Sequence, residues 1–158
     1  MRSARTAAAV AAAAFLLCAC TAVETTAVRD DLGGHVDFQV GGGIAGNRQS
    51  LSIGNDGQAV ARDDKRGTEG RQRLDAARLG QLRTAFAKVE ARDERPSPSL
   101  SRPCADCVYY SVKATIDGVR HRATLTAGGQ DSSPYREVIA LLSTILQETL
   151  SRSGKNGS

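Results

Sequence analysis

Cysteine, histidine and paired aspartate are the side chains with which this 158-residue chain could do chemistry. Cys104-Ala105-Asp106-Cys107 brings two thiols within one turn of chain. Four states suit such a pair. A short structural disulfide fits a protein made for an oxidising compartment. A redox dithiol normally opens a helix, whose amino terminus lowers the thiol pKa, whereas this pair precedes a strand-like run from Val108. A zinc site needs about four ligands, and the histidines, His35 and His121, stand alone. Reduced thiols are the fourth state. The assignment made here is the Cys104–Cys107 disulfide. Asp30-Asp31 and Asp63-Asp64 fall in polar stretches and read as solvated charge. No Ser, Cys or His arrangement supplies a nucleophile with its base. The sequence therefore predicts no catalytic residue, no metal, no cofactor and no enzymatic activity.

The compartment is read from the first twenty residues. Arg2 and Arg5 form a positive start, and residues 7–19 form an apolar run. That run is too short to span a bilayer, which takes ~20 apolar residues, and has the length of a signal-peptide core. It ends Leu17-Cys18-Ala19-Cys20. This resembles a bacterial lipobox, with Cys20 as the lipidated residue; Cys18 fits poorly because Leu17 would occupy the small-residue position before it. The expected layout is a signal peptide over 1–19, a lipidated terminus and tether over 20–35, a domain over 36–152 and a flexible tail over 153–158. Two or more acyl chains suffice for stable anchoring. The protein is thus expected outside the cytoplasm, held by lipid on Cys20 to the cell membrane or outer membrane.

Composition sets the remaining bounds. Hydrophobic residues are 41% and charged residues 24%, enough for a packed core. Aromatics are 4% with no Trp, so Leu, Val, Ile and Ala must fill it. Losing Arg2 and Arg5 with the leader reduces the net charge from +4 to +2. That balance argues against a nucleic-acid partner and against a polybasic membrane patch, leaving the lipid as the expected membrane contact.

Periodicity places the elements. Val36, Phe38 and Val40 alternate with polar residues, as in a half-buried strand, and Gly41-Gly42-Gly43 interrupts it. Residues 48–53 resume the alternation, Asn55-Asp56-Gly57 signals a hairpin turn, and 58–62 return as a short strand. The charged stretch 63–73 reads as a solvated loop. Asp75 caps a helix running to about residue 92, with Leu74 and Leu79 placed as a hydrophobic staple. The three Pro and three Ser of 95–103 make an extended loop. Residues 108–126 form a hairpin around Asp117-Gly118, in which Tyr110, Val112, Ala114 and Ile116 should face Leu125, Ala123, His121 and Val119. His121 then points into the core, and Lys113, Arg120 and Arg122 point away as solubilising charge. Ser133-Pro134 opens a last helix, striped by Val138, Leu141, Leu142, Ile145, Leu146, Thr149 and Leu150. The expected fold class is α+β: an antiparallel sheet of four to five strands, packed on one face by two helices, in the order strands–helix–strands–helix.

Gly42-Gly43-Ile44-Ala45-Gly46 directly follows the first strand. A basic strand, a Leu-rich helix, an Asp-Gly hairpin with Tyr in its first arm and a Leu-rich terminal helix come next. In this order the chain resembles emfourin, a family of small bacterial protein inhibitors of protealysin and related thermolysin-like zinc metallopeptidases. The resemblance covers about residues 36–151. Family members carry a Gly-Gly-Phe-Ala-Gly-type loop at this point. Ile44 replaces the aromatic residue, and the lipid anchor and cysteine pair are additions. The resemblance implies a peptidase-contact loop of Gly42, Gly43, Ile44, Ala45, Gly46 and Asn47, with the backbone entering the cleft and Ile44 filling an apolar pocket. On the residues alone, the same glycines also suit a plain tight turn or bulge. The alternative function is a non-catalytic envelope module that binds another protein through the same fold.

Overall fold

A computed structural model describes residues 29–43, 46–90, 106–127 and 133–153. Its elements are β1 (Gly34–Gly42), β2 (Asn47–Ile53), β3 (Gln58–Asp63), β4 (Thr68–Arg73), α1 (Ala76–Glu90), β5 (Val108–Ile116), β6 (Val119–Thr126) and α2 (Arg136–Ser153). The strands form one antiparallel sheet in the order β4-β3-β2-β1-β5-β6. The α+β class and the order of elements agree with the sequence reading. The sheet has six strands rather than four to five.

The additional strand is β4, cut from the stretch read as a solvated loop. Thr68, Gly70 and Gln72 alternate there with Glu69, Arg71 and Arg73, and Gly70 pairs with Ala61 of β3. None of Thr68, Gly70 and Gln72 is a large apolar residue: Thr68 is exposed, Gln72 meets the Thr149 side chain, and the α2 backbone lies directly on Gly70. A Cβ at Gly70 would stand 2.0 Å from the Thr149 carbonyl oxygen. Beside it, Gln72 Nε2 donates to Thr149 Oγ1 at 2.6 Å, and that hydroxyl donates to the Ile145 carbonyl. These buried polar groups satisfy one another, as burial requires.

The register of β5 and β6 is the expected one. Ile116, Ala114, Val112 and Tyr110 stand opposite Val119, His121, Ala123 and Leu125. Asp117 and Gly118 both have positive φ, 48° and 84°, which is the two-residue turn that matches strand twist. Val36, Phe38, Leu51, Ile53, Ala59, Ala61, Val112 and Ala123 fill the inner face of the sheet.

Asp75 caps α1 by accepting from the Arg78 amide at 2.8 Å, and Leu74 and Leu79 are both buried. Ser133 Oγ accepts from the Tyr135 amide, and α2 becomes regular at Arg136, two residues beyond Pro134. The helices run antiparallel: Arg78 meets Glu148 at 2.8 Å and Lys88 meets Glu137 at 2.9 Å. α2 lies on β4, β3 and β2, and α1 reaches β6 through Phe86, whose ring centroid is 4.8 Å from that of His121.

Packed chain extends further toward the amino terminus than Val36. Leu32 is fully buried, and its amide donates to the Asn55 carbonyl. Arg83 Nη2 donates to the Arg29 carbonyl at 3.1 Å, and Arg29 pairs with Asp117 at 2.9 Å. The core cluster is drawn wholly from residues between Leu32 and Leu146.

Candidate functional site

The glycine-rich loop joins β1 to β2 at one end of the sheet. Gly42 pairs with Asn47 across the hairpin and with Val108 on the other side. The strand thus runs through Gly41 and Gly42 before the chain turns. Gly42, Gly43 and Gly46 have φ of 97°, 74° and 60°, a region that side chains with a Cβ seldom enter.

The glycines differ in what surrounds them. A Cβ at Gly42 would stand 2.2 Å from the Cys107 carbonyl oxygen and 3.0 Å from the Tyr109 ring. This glycine is required by the approach of β5. The next amide, Gly43 N–H, donates to the same Cys107 carbonyl at 3.1 Å. Gly46 N–H closes the turn on the Gly43 carbonyl at 3.0 Å. Gly46 is exposed, and a Cβ there would meet nothing within 4 Å. The loop therefore has a base fixed to β5 and an open return limb. Ile44 and Ala45 lie outside the described residues, and Asn47 is placed by its backbone as the first residue of β2.

Cys107, half-buried, supplies the carbonyl on which the loop base rests. Cys104 lies outside the described residues, as does Cys20. The contact between Cys107 and the glycine loop was not visible in sequence, because it depends on β1 and β5 being neighbours.

A polar relay holds the second limb. Gln147 Nε2 of α2 donates to Gln49 Oε1 at 3.1 Å, and Gln49 Nε2 donates to Asp63 Oδ2 at 2.8 Å. Asp63 Oδ1 accepts from the amides of Lys65 and Arg66. The Gln49 hydrogen bond, the Arg66 amide and the Arg66 charge hold the Asp63 carboxyl below the usual carboxylate range. Read from sequence as solvated charge, Asp63 is in fact a buried acceptor that organises the β3–β4 turn. That turn adjoins the loop: the Asp64 amide donates to the Arg48 carbonyl one residue into β2 from Asn47.

His121 packs in the core against Phe86, as the hairpin register requires, and burial lowers its pKa against the opposing charge of Glu90. Among the described residues no group of three or more His, Cys, Asp or Glu is placed to hold a metal ion. Also among them, no helix is long and apolar enough to cross a membrane. Comparison with protein-family models, curated proteins and solved structures finds no match to this chain.

Proposed function

We propose that this chain is an envelope lipoprotein that inhibits a thermolysin-like zinc metallopeptidase by seating its β1–β2 loop in the active cleft. The observation that carries the reading is the division of the loop into a fixed base and an open limb. Gly42 and Gly43 are held against Cys107, while Gly46 stands exposed with no neighbour where a Cβ would be. A narrow hairpin on a fixed base loses little freedom on docking, which favours affinity. Glycine lets its backbone approach a cleft wall closely. Ile44 would enter the apolar pocket beside the cut bond. A disulfide between Cys104 and Cys107 would brace the strand on which the base rests, and lipid on Cys20 would keep the inhibitor at the membrane.

The test is a titration of residues 21–158 against a thermolysin-like peptidase and a serine peptidase. The expected result is stoichiometric loss of the metallopeptidase activity alone, abolished by Ile44→Asp without a change in the unfolding midpoint. Full metallopeptidase activity at micromolar protein would overturn the reading. Anchoring has its own test: Cys20→Ser should move the protein from the membrane fraction to the soluble one.

A further inference from the structure

Both helices cover one face of the sheet, and cations gather on the other. β3 and β4 place Arg62, Arg71 and Arg73 there, β5 and β6 place Lys113, Arg120 and Arg122, and Arg48 stands near the end of β2. Among the described residues of this face only Asp37 and Glu69 oppose them, and both are engaged. Glu69 lies between Arg62 at 2.7 Å and Arg71 at 2.8 Å. Asp37 accepts from the Ser52 hydroxyl and pairs in register with Lys113. The side chains of Arg48, Arg73, Arg120 and Arg122 make no ion pair among the described residues. Elsewhere the described residues carry more carboxylates than cations. The near-neutral balance of the chain averages a cationic sheet face with acidic turns and loops such as Asp30-Asp31, Asp56, Asp64 and Asp117.

Lys113 and Arg122 are direct cross-strand partners, and like charges so placed repel and weaken a sheet. A bound anion would relieve that repulsion. The cations flank a neutral polar centre of Gln39, Ser50, Ser111 and Thr124, which share one row across the strands. Six strands span roughly 24 Å, so the complementary surface is broad and anionic rather than a single small ion. Tyr109 and the His35 imidazole are the only aromatic rings on this face among the described residues, too few for the stacking that single-stranded nucleic acid uses.

We propose that this face lies against the anionic phospholipid headgroups of the membrane to which the chain is tethered. The choice of a lipid surface rests on the anchored reading above. From Cys20 to Gly34 the chain can extend at most ~50 Å, so the face would stay close to the bilayer. A modest attraction then acts at high effective concentration. The membrane contact would be twofold, through the lipid and through the sheet, rather than through the lipid alone.

The experiment uses unlipidated residues 21–158, so that it is independent of the anchor, with phosphatidylcholine vesicles and vesicles of phosphatidylcholine and phosphatidylglycerol. Co-sedimentation with the anionic vesicles only, lost at high salt, is expected. Lys113→Gln with Arg122→Gln should lower that partitioning about 25-fold, as two surface cations would. Lys88→Gln with Arg152→Gln, on the helical layer, removes the same charge and should leave it near the parent value. Circular dichroism confirms that each variant is folded. No anionic-vesicle binding, or equal loss from both double variants, would overturn the proposal. Retention on polyglutamate or duplex DNA without retention on vesicles would overturn it in favour of a macromolecular partner. A chain lacking diacylglycerol by mass spectrometry would refute the anchor without bearing on these sedimentation results.

Discussion

Replacing Gly42 by Ala tests whether the loop base is as tightly fixed as its geometry indicates. Two effects add. The backbone there has φ of 97°, and forcing an L-residue into a left-handed conformation costs about 1–2 kcal/mol. The new methyl would also lie 2.2 Å from the Cys107 carbonyl oxygen, a backbone atom that cannot swing aside. β1 must then part from β5 at the Gly42–Val108 pair, giving up the hydrogen bond from Gly43 N–H to Cys107, about 1 kcal/mol net. The sum is about 3 kcal/mol, or roughly 12 °C in Tm for a domain of this size. Gly46→Ala is the control, since it too has positive φ but meets nothing within 4 Å; about 1 kcal/mol is expected. Urea unfolding followed by circular dichroism gives both values. If the two variants are destabilised equally, the contact with Cys107 does not fix the loop, and the account of a braced base is wrong.

Gly70→Ala drives a methyl into the Thr149 carbonyl at 2.0 Å with no help from positive φ. It should destabilise by about 2–3 kcal/mol, typical of overpacking, with a falling urea midpoint as the readout. Burial makes folded His121 bind fewer protons than the unfolded chain. Its contribution is complete above the ordinary imidazole pKa of about 6.5 and is lost as pH falls from there through the lower folded pKa; His121→Phe should flatten the urea-midpoint profile between pH 8 and 5. The Asp63 carboxyl, also held low, contributes above the ordinary carboxylate range and loses that contribution as pH falls through its folded pKa, so Asp63→Asn should flatten the profile below about pH 4. Alkylation of the unfolded, unreduced protein followed by intact mass should leave Cys104 and Cys107 unmodified, and both should label after reduction. Labelling before reduction would refute the bridge.

What could be read from sequence follows from where the hydrophobic signal is strong. The β5–β6 hairpin declared its register because four apolar residues on one arm meet three apolar residues and His121 on the other, across a turn whose residues accept positive φ. α1 declared its start because Asp75 has a side chain suited to the cap and Leu74 and Leu79 stand where a staple needs them. β4 stayed hidden for the opposite reason. Its buried residues are Gly70 and Gln72, which meet the α2 backbone and the Thr149 hydroxyl rather than burying apolar area, so the usual alternation of greasy and polar residues is missing. Only the position of α2, nearly eighty residues later, explains why Gly70 is glycine and why Gln72 has a buried partner.

Hiding β4 also hid the charge. Read as a loop, residues 63–73 scatter their arginines into solvent; paired with β3, they put Arg71 and Arg73 on the same side as Arg62. Net charge is a single number and carries no direction, so an excess of cations on one face of the sheet and of carboxylates in the turns and loops reads as near neutrality. Direction came from register: each pairing that places Val36, Phe38, Leu51, Ala61 or Val112 under the helices turns its neighbour outward, and those neighbours are mostly basic or neutral. The core pattern and the cationic face are one pattern seen from two sides. A change that slipped β5 by one residue against β1 would therefore bury Lys113 as it exposed Val112. The same register that stabilises the fold holds the outer surface in place, and a surface so fixed can present its charge to a partner without reorganising.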